Sequence, residues 1–109
     1  MKICITSKDK EGNLVDPRFG RAKSFTIYND KGEKIKVVDN SAEEIKRGAG
    51  VKAAEKIADE EVSVLITGNI GPHAMRVIED MGIDVYLVEP NISTKEAFER
   101  WKEGNLSKK

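Results

Sequence analysis

The sequence predicts a single α/β domain with a mixed five-stranded sheet, and three observations support this. The chain has 109 residues, the usual length of one domain. Three short apolar runs, at residues 2–7, 62–67 and 84–89, are typical of strands buried on both faces. One amphipathic helix pattern precedes the second run, another lies between the second and third runs, and a third follows the third run. Strands and helices therefore alternate as in βαβ units. The domain is expected to cover residues 1–103, with a frayed polar tail at 104–109.

Between the first apolar run and the first helix, the chain predicts a β-hairpin. Residues 24–29 alternate between apolar and polar side chains, and the "NDKG" stretch at 29–32 is typical of a tight turn. Residues 33–39 follow, with Ile35 and Val37 on one face and lysines between them. Lysines in this pattern protect the edge of a sheet, so this strand is expected to be an edge strand.

The first two helices are predicted from their apolar spacing. The first is expected to begin near Gly50; an alternative start is a capping box made by Ser41 and Glu44. The second begins at Pro72, where the missing N–H costs nothing, and ends at Gly82. The expected buried faces are Val51, Ala54, Ile57 and Ala58 in the first helix and Ala74, Val77, Ile78 and Met81 in the second.

The third helix and the chain direction complete the predicted topology. Ser93 is the expected N-cap, and Glu96 is expected to close the capping box. The predicted strands are numbered along the chain as 1 (2–7), 2 (24–29), 3 (33–39), 4 (62–67) and 5 (84–89). Right-handed crossovers make strands 1, 4 and 5 parallel, while the hairpin returns strand 2 antiparallel beside strand 1. The predicted strand order is therefore 3-2-1-4-5.

This topology brings four loops to one edge of the sheet. Because strand 2 runs backwards, the loop at residues 8–23 lies at the carboxyl end of strand 1, together with residues 40–50, 68–73 and 89–93. The connections change direction between strands 1 and 4, and open α/β sheets bind ligands at such a switch point. A ligand crevice is expected there.

The residues at this edge suit an anion. Gly68 and Gly71 allow the backbone to approach a ligand closely, and the start of the following helix presents free N–H groups and a positive dipole end. Arg18 and Arg21 lie on the opposite loop, and the N–H donors of their planar guanidinium groups could reach the same ligand. His73, the only histidine, lies in the first helical turn and could donate to an anion or ligate a metal.

Each of these features also has a purely structural interpretation. The glycine pair could serve only to start a helix, and a lone surface histidine is often a bystander. The two arginines could pair with Asp16 or Glu89 and so stabilise the loop. Cys4 lies inside an apolar strand and is interpreted as a small buried hydrophobe.

Composition and charge limit the classes of function. Lys plus Arg and Asp plus Glu both number 19, and a net charge of zero argues against a nucleic-acid-binding protein. No stretch approaches the length of a membrane span, and the apolar part of the N-terminus is too short for a signal peptide. With one cysteine, no internal disulfide can form. A cytoplasmic protein is expected. The 14 Lys and 12 Glu without any Gln are typical of thermophile proteins.

Five segments resemble the dinitrogenase iron–molybdenum cofactor biosynthesis family, which includes NifX- and NifB-like proteins. They are "MKICITS", "DPRFGRAKSFTIYN", "GAGVKAAEKI", "VLITGNIGPHAMRVIEDMGIDVYLV" and "STKEAF". The resemblance implies a ribonuclease-H-like, three-layer α/β/α fold. It also implies binding, carriage or insertion of the iron–molybdenum cofactor or its iron–sulfur precursor. Nitrogenase-associated members tend to have histidine where this chain has Arg18 or Arg21, which leaves His73 as the candidate metal ligand at this edge.

The predicted function is that of a non-catalytic binding or carrier protein for an anionic metal cluster or a related anionic small molecule. The predicted ligand-binding residues are Arg18, Gly20, Arg21, Gly68, Asn69, Gly71 and His73. The alternative is an interaction or regulatory module in iron–sulfur protein maturation. Under either function, the protein is expected to be a monomer or a weak homodimer. A ribonuclease-H-type nuclease is disfavoured, because its first strand would need an acidic residue and "KICITS" has none.

Overall fold

The computed structural model describes residues 1–40 and 47–109. The proposed capping box of Ser41 and Glu44 lies outside the described residues. The elements are β1 (Lys2–Ser7), β2 (Ser24–Asn29), β3 (Lys34–Asp39), α1 (Ala49–Asp59), β4 (Val64–Thr67), α2 (Pro72–Asp80), β5 (Asp84–Leu87), α3 (Thr94–Lys102) and β6 (Ser107–Lys108). Within the described ranges, none of the helices has the length and apolarity that a bilayer crossing requires.

The sheet has the order β3-β2-β1-β4-β5-β6, so the predicted order of the first five strands is confirmed. β2 pairs with β1 in the antiparallel direction, whereas β4 and β5 extend the sheet in parallel. α1 and α2 pack on one face of the sheet and α3 on the other. The fold is therefore a mixed α/β fold with three layers; its ribonuclease-H-like classification stays a prediction.

The polar tail corrects the prediction of a five-stranded sheet with a frayed end. Ser107–Lys108 forms β6 along the free edge of β5, and the Lys109 N–H donates to the Val85 carbonyl at 2.8 Å. Leu106 packs against the core beside this strand. An open edge of β5 would leave backbone groups unpaired, and the tail satisfies them despite its polar composition.

Two apolar clusters hold the layers together, one on each face of the sheet. β1 shows the division, because Cys4 belongs to the cluster under α1 and α2 while Ile3 and Ile5 belong to the cluster under α3. The predicted buried face of α1 is partly corrected, since Val51 and Ala58 are only half-buried and Ala53 is buried instead. The helix also begins at Ala49, one residue before the expected start.

The edge strand β3 differs from its prediction. Ile35 is 49% exposed, and Val38 takes the expected place in the core at 8% exposure. The register with β2 shifts at this point: Ile27 of β2 pairs with Lys36, and the next residue, Tyr28, pairs with Lys34. Ile35 is therefore an extra residue without a partner in the register, as in a β-bulge. On α2, similarly, Met81 remains 39% exposed.

The predicted ends of α2 and the predicted N-cap of α3 are confirmed, whereas the predicted capping box of α3 does not form. α2 begins with Pro72, and Gly82 follows it in the left-handed conformation with φ of 74°. The Ser93 hydroxyl accepts a hydrogen bond from the Glu96 N–H at 3.0 Å, which confirms the N-cap of α3. The Glu96 carboxylate does not close the capping box, because it pairs with Arg100 one turn later.

Candidate functional site

The first half of the 8–23 loop is fastened to the start of α3. The Gly12 carbonyl accepts hydrogen bonds from the hydroxyls of Thr94, at 2.7 Å, and Thr26, at 3.1 Å. The Val15 N–H donates to the Ile92 carbonyl at 2.9 Å. Threonine hydroxyls from β2 and from the start of α3 thus help to order a long polar loop that has little regular secondary structure.

The second half, residues 16–23, is called the arginine loop below. Its start is attached to the ends of β1 and β4. Asp16 exchanges two hydrogen bonds with Thr6: the Asp16 N–H donates to the Thr6 carbonyl at 2.9 Å, and the Thr6 hydroxyl donates to the Asp16 carbonyl at 2.8 Å. The Thr6 hydroxyl also lies 2.9 Å from that of Thr67. Arg18 and Asn69 form an isolated parallel bridge, which joins the two loops directly.

The far end of the arginine loop is held by Asn40, which is 1% exposed. Its side-chain amide donates to the carbonyls of Gly20, at 3.1 Å, and Ala22, at 2.7 Å. Its backbone N–H donates to the Lys23 carbonyl at 3.1 Å. Both ends of the loop are therefore fixed by buried polar groups, and its conformation is defined before any ligand arrives.

Glycines bring three segments into backbone contact at this edge. A Cβ at Gly68 would lie 2.7 Å from Pro17 Cα, so Gly68 permits the two loops to touch. A Cβ at Gly20 would lie 2.8 Å from the Gly50 nitrogen, and one at Gly50 would lie 2.9 Å from Ala74 Cβ. The arginine loop therefore packs on the start of α1, and the start of α1 packs on the start of α2.

A cavity of about 380 Å³ lies where these segments meet. This volume is at the small end of the range of ligand sites in proteins. The lining residues come from the arginine loop, the start of α1 and the start of α2: Arg18, Phe19, Gly20, Arg21, Gly48, Ala49, Gly50, Val51, Asn69, Ile70, Gly71, Pro72, His73 and Ala74. Every predicted ligand-binding residue except Gly68 lines this cavity; whether these residues bind a ligand stays a prediction.

The start of α1 is the part of the cavity that the predicted site residues omitted. Residues 40–50 were expected at this edge, and Gly48–Gly50 do line the cavity, whereas residues 41–46 lie outside the described ranges. The signal was present in "RGAG", a glycine-rich approach to a helix like the one before Pro72. Glycines also weaken a helix, so this pattern alone does not predict a binding surface.

Two helices therefore point their N-terminal ends at one cavity. Neither Gly48 nor Gly71, the N-cap residues, supplies a side-chain cap, and the first turns of both helices carry no acidic residue. The first backbone bonds reach back only from Lys52 and Met75, so the preceding N–H groups have no acceptor within their helices. The N–H groups at a helix start and the positive end of its dipole together favour a negative charge.

Arg18 adds a guanidinium group, and its position is fixed by a buried carboxylate. Arg18 Nε lies 3.2 Å from Asp16 Oδ1 and Arg18 Nη2 lies 3.3 Å from Oδ2. The arginine side chain is 64% exposed, whereas that of Asp16 is 2% exposed. The structural interpretation of this arginine, pairing with Asp16, is therefore confirmed, while Glu89 pairs instead with Arg100. Arg18 therefore pairs with Asp16 and is also exposed at the cavity.

Protein ligands for a metal are scarce at this site. His73 is exposed at the cavity wall, whereas Cys4 is fully buried in β1. Burial, with a smaller effect from Glu60, raises the pKa of the Cys4 thiol far above its ordinary value, so it stays protonated. Residues 1–40 and 47–109 hold no group of three or more His, Cys, Asp or Glu side chains suited to a metal ion.

Known proteins resemble this chain in sequence and in fold. A protein of Methanocaldococcus jannaschii is 35% identical over 111 residues, which covers 99% of this chain and 91% of the other. The apo form of the orange protein from Desulfovibrio gigas superimposes with a TM-score of 0.93 at 31% identity, covering 99% of this chain and 92% of that one. The Thermotoga protein TM1290, provisionally assigned as a NifB protein, gives 0.81 at 30% identity, with 98% and 91% covered.

The sequence model of the dinitrogenase iron–molybdenum cofactor family matches residues 1–104. This match covers both loops of the cavity and all three helices. The chain belongs to the dinitrogenase iron–molybdenum cofactor family.

Proposed function

We propose that this protein is a non-catalytic carrier of an anionic metal cluster of the iron–molybdenum cofactor type. The cluster is the cargo, and it sits in the cavity between the arginine loop and the starts of α1 and α2. The observation that carries the proposal is the convergence of two helix N-termini without side-chain caps on a cavity also lined by Arg18 and Arg21. In a net-neutral protein this arrangement concentrates positive potential at one place.

The cargo is held mainly by hydrogen bonds and charge. The cavity offers backbone N–H groups, guanidinium groups, the Asn69 amide and the His73 imidazole. Of these, only the imidazole is an ordinary metal ligand. The site therefore suits a cluster that arrives already assembled with its own sulfide and organic ligands, and a single bond from His73 would fix its orientation. A site of this kind can release its cargo intact.

Membership of the family and the structural neighbours support this assignment. The family is named after the iron–molybdenum cofactor of dinitrogenase. The structure of the orange protein is that of its apo form, which means the ligand-free form of a ligand-binding protein. The cavity in this chain uses the segments that the family match covers. The closeness of fold to the orange protein extends over almost the whole of both chains.

Three acidic residues in the described part of this edge support a non-catalytic role. The Asp9 carboxylate accepts from the backbone N–H of Asn13 at 3.0 Å, the Asp16 carboxylate binds Arg18, and Glu89 binds Arg100. Each carboxylate thus has a structural partner of its own. Hydrolytic metal sites instead gather several carboxylates around one or two metal ions, so the protein is proposed to carry its cargo unchanged.

Anaerobic binding of isolated iron–molybdenum cofactor tests the proposal. The wild-type protein is expected to retain the cofactor through gel filtration, with matching molybdenum and iron contents and visible absorption. Arg18→Ala should weaken retention about tenfold or more, because a hydrogen bond to a charged group contributes about 1.5–3 kcal/mol. His73→Ala should change the visible spectrum if the imidazole binds a metal atom of the cluster.

The matched control is Arg76→Ala. Arg76 lies on the same helix as His73 and is exposed, but it does not line the cavity. Its removal changes the net charge by the same amount as Arg18→Ala and should leave retention within about twofold, because the side chain is exposed to solvent and does not line the cavity. Failure of the wild-type protein to retain molybdenum or iron would refute the carrier role.

An interaction module in iron–sulfur protein maturation is the second candidate function. Ile35 favours it, because this side chain is 49% exposed on β3, at the edge of the sheet. Such an edge can pair with a partner strand or with a second copy of the chain. Sedimentation and affinity capture with wild-type protein and Ile35→Lys would distinguish the two functions, since only the interaction module depends on this edge.

A further inference from the structure

A second cavity, called the lysine cavity below, lies on the α3 face of the sheet. Its volume is about 430 Å³, within the range of small-ligand sites in proteins. The lining residues come from the first half of the 8–23 loop, the hairpin of β2 and β3, and the start of α3: Asn13, Tyr28, Gly32, Lys34, Ser93, Thr94 and Lys95. Of these described residues two are lysines and none is acidic, and none of them lines the cavity beside the arginine loop.

Buried contacts define the shape of the lysine cavity. The Tyr28 ring stacks on that of Phe98 with 5.4 Å between the ring centroids, and Tyr28 is 2% exposed. The Tyr28 hydroxyl lies 2.9 Å from Thr94 Oγ1, which donates to the Gly12 carbonyl at 2.7 Å. A Cβ at Gly32 would lie 3.0 Å from the Phe98 ring, so the hairpin turn packs closely on α3. The walls are therefore held by the core of this face.

The Lys34 ammonium group is fixed at this cavity by neutral oxygens. Its Nζ donates to Asn13 Oδ1 at 2.7 Å and to the Glu11 carbonyl at 3.0 Å. The ion pairs among the described residues do not include Lys34, whereas Lys36, two residues later, pairs with Glu60 at 2.9 Å. The charge of Lys34 is therefore positioned but has no carboxylate to compensate it.

Lys95 brings a second ammonium group to the same cavity. Its Nζ donates to the Gly32 carbonyl at 3.4 Å, again a neutral oxygen, and the described part of the chain gives it no ion pair. The neighbouring acid, Glu96, pairs with Arg100 instead. Two uncompensated positive charges at one cavity repel each other, and an anion bound between them removes that repulsion.

We propose that the lysine cavity is a second anion site, which binds the phosphate group of a small molecule. An ammonium group is a compact point charge with three rotatable donors and is a common phosphate ligand. Lys34 uses two donors and Lys95 one in the bonds described, which leaves one and two N–H groups for phosphate oxygens. The site is made by these side chains, and the start of α3 keeps its Ser93 cap. The inference goes beyond the carrier function and does not depend on it.

Amide NMR of the full chain locates the site. Inorganic phosphate and glycerol 3-phosphate are titrated separately at constant ionic strength, because salt screens exposed charges. Saturable shifts are expected at the amides of Gly32, Thr94 and Lys95. Tighter binding of the ester identifies a phosphorylated small molecule as the ligand, and tighter binding of phosphate identifies the free ion. Shifts confined to Gly50 and His73, or no saturable shifts, would overturn the proposal.

Lys95→Gln tests the charge with little change in structure, because the uncharged side chain can still donate to the Gly32 carbonyl. Affinity should fall about three- to tenfold, between the contributions of an exposed ion pair and of a hydrogen bond to a charged group. Lys34→Gln should give a similar loss. Since Lys34 also holds the 8–23 loop, a loss of fold in that variant leaves Lys95→Gln as the test.

The matched control is Lys102→Gln. Lys102 lies on the same helix as Lys95 and also donates to a neutral oxygen, the Asp30 carbonyl at 3.2 Å, but it does not line the lysine cavity. The substitution changes the net charge equally and should leave phosphate affinity within about twofold. Equal losses in the two variants, or wild-type affinity in Lys95→Gln, would overturn the site and leave the carrier function intact.

Discussion

The three helices of this protein begin in two different ways. At the start of α3, the Ser93 hydroxyl caps the Glu96 N–H, and Glu96 places a negative charge in the first turn. At the starts of α1 and α2, the N-cap residues are Gly48 and Gly71, which have no side chain to cap with, and the first turns carry no acid. α3 is thus capped by the side chain of its own N-cap residue, whereas α1 and α2 receive no such cap from theirs.

The position of each helix explains the difference. Among the described elements, α3 is the one helix on its face of the sheet, and its start is hydrogen-bonded to the first half of the 8–23 loop. α1 and α2 lie side by side on the opposite face, and both start at the cavity. A helix that only supports the fold is stabilised by its own cap, while a helix that contributes to a binding site forgoes part of that stability.

The largest effect is expected from separating the two uncapped helices. In Gly50→Val the new side chain would collide with Ala74, because even a Cβ would lie 2.9 Å from Ala74 Cβ. Overpacking of this kind should lower the free energy of unfolding by about 2–3 kcal/mol. Binding of iron–molybdenum cofactor should be lost as well, since the two N-termini no longer converge. Urea unfolding and anaerobic titration measure both quantities.

Gly71→Ala is the control for that substitution. A Cβ at Gly71 meets nothing within 4 Å, so the free energy of unfolding should change by no more than about 1 kcal/mol. Equal losses of stability in the two variants would show that the contact between α1 and α2 does not depend on Gly50.

A smaller effect is expected at the capped helix. Ser93→Ala removes the hydrogen bond to the Glu96 N–H and should lower the free energy of unfolding by about 1 kcal/mol. Cofactor affinity should stay within about twofold of the wild type, because α3 lies outside the cavity. A marked loss of affinity would break the distinction between supporting and binding helices.

The smallest effect concerns the charge in the first turn of α3. Glu96→Gln should lower the free energy of unfolding by about 0.3–1 kcal/mol through the helix dipole and the lost pairing with Arg100. The loss should shrink as salt is added, since both interactions are exposed to solvent. Thermal unfolding at low and high ionic strength measures it; an effect that is independent of salt would exclude an electrostatic origin.

Much of this architecture could be predicted from the sequence because its signals are local. The hairpin signal fixed the direction of β2, and that direction placed the arginine loop on the same edge as Gly71 and His73. The sixth strand could not be predicted, since Ser107–Lys108 is polar and forms only because β5 offers an open edge. Tertiary context of this kind leaves no periodic pattern in the sequence.

The candidate site was predicted in part for a similar reason. Residue type and position identified the arginines and the glycines before α2. The contribution of α1 depends on the contact of Gly20 with Gly50, which joins segments 30 residues apart in the sequence. The burial of Asp16 beside Arg18 could not be predicted either, because burial of one particular carboxylate cannot be inferred from its position in a loop.

Gly71→Asp tests the central claim, that the start of α2 is left uncapped for an anion. The backbone of Gly71, with φ of −71° and ψ of 161°, accommodates an N-cap side chain. The new carboxylate should cap α2 and leave the free energy of unfolding unchanged or raised by up to about 1 kcal/mol. Its charge would compete with the cargo, so affinity for iron–molybdenum cofactor should fall at least about tenfold, and less in the neutral Gly71→Asn. Wild-type affinity in a stably folded Gly71→Asp would contradict the account.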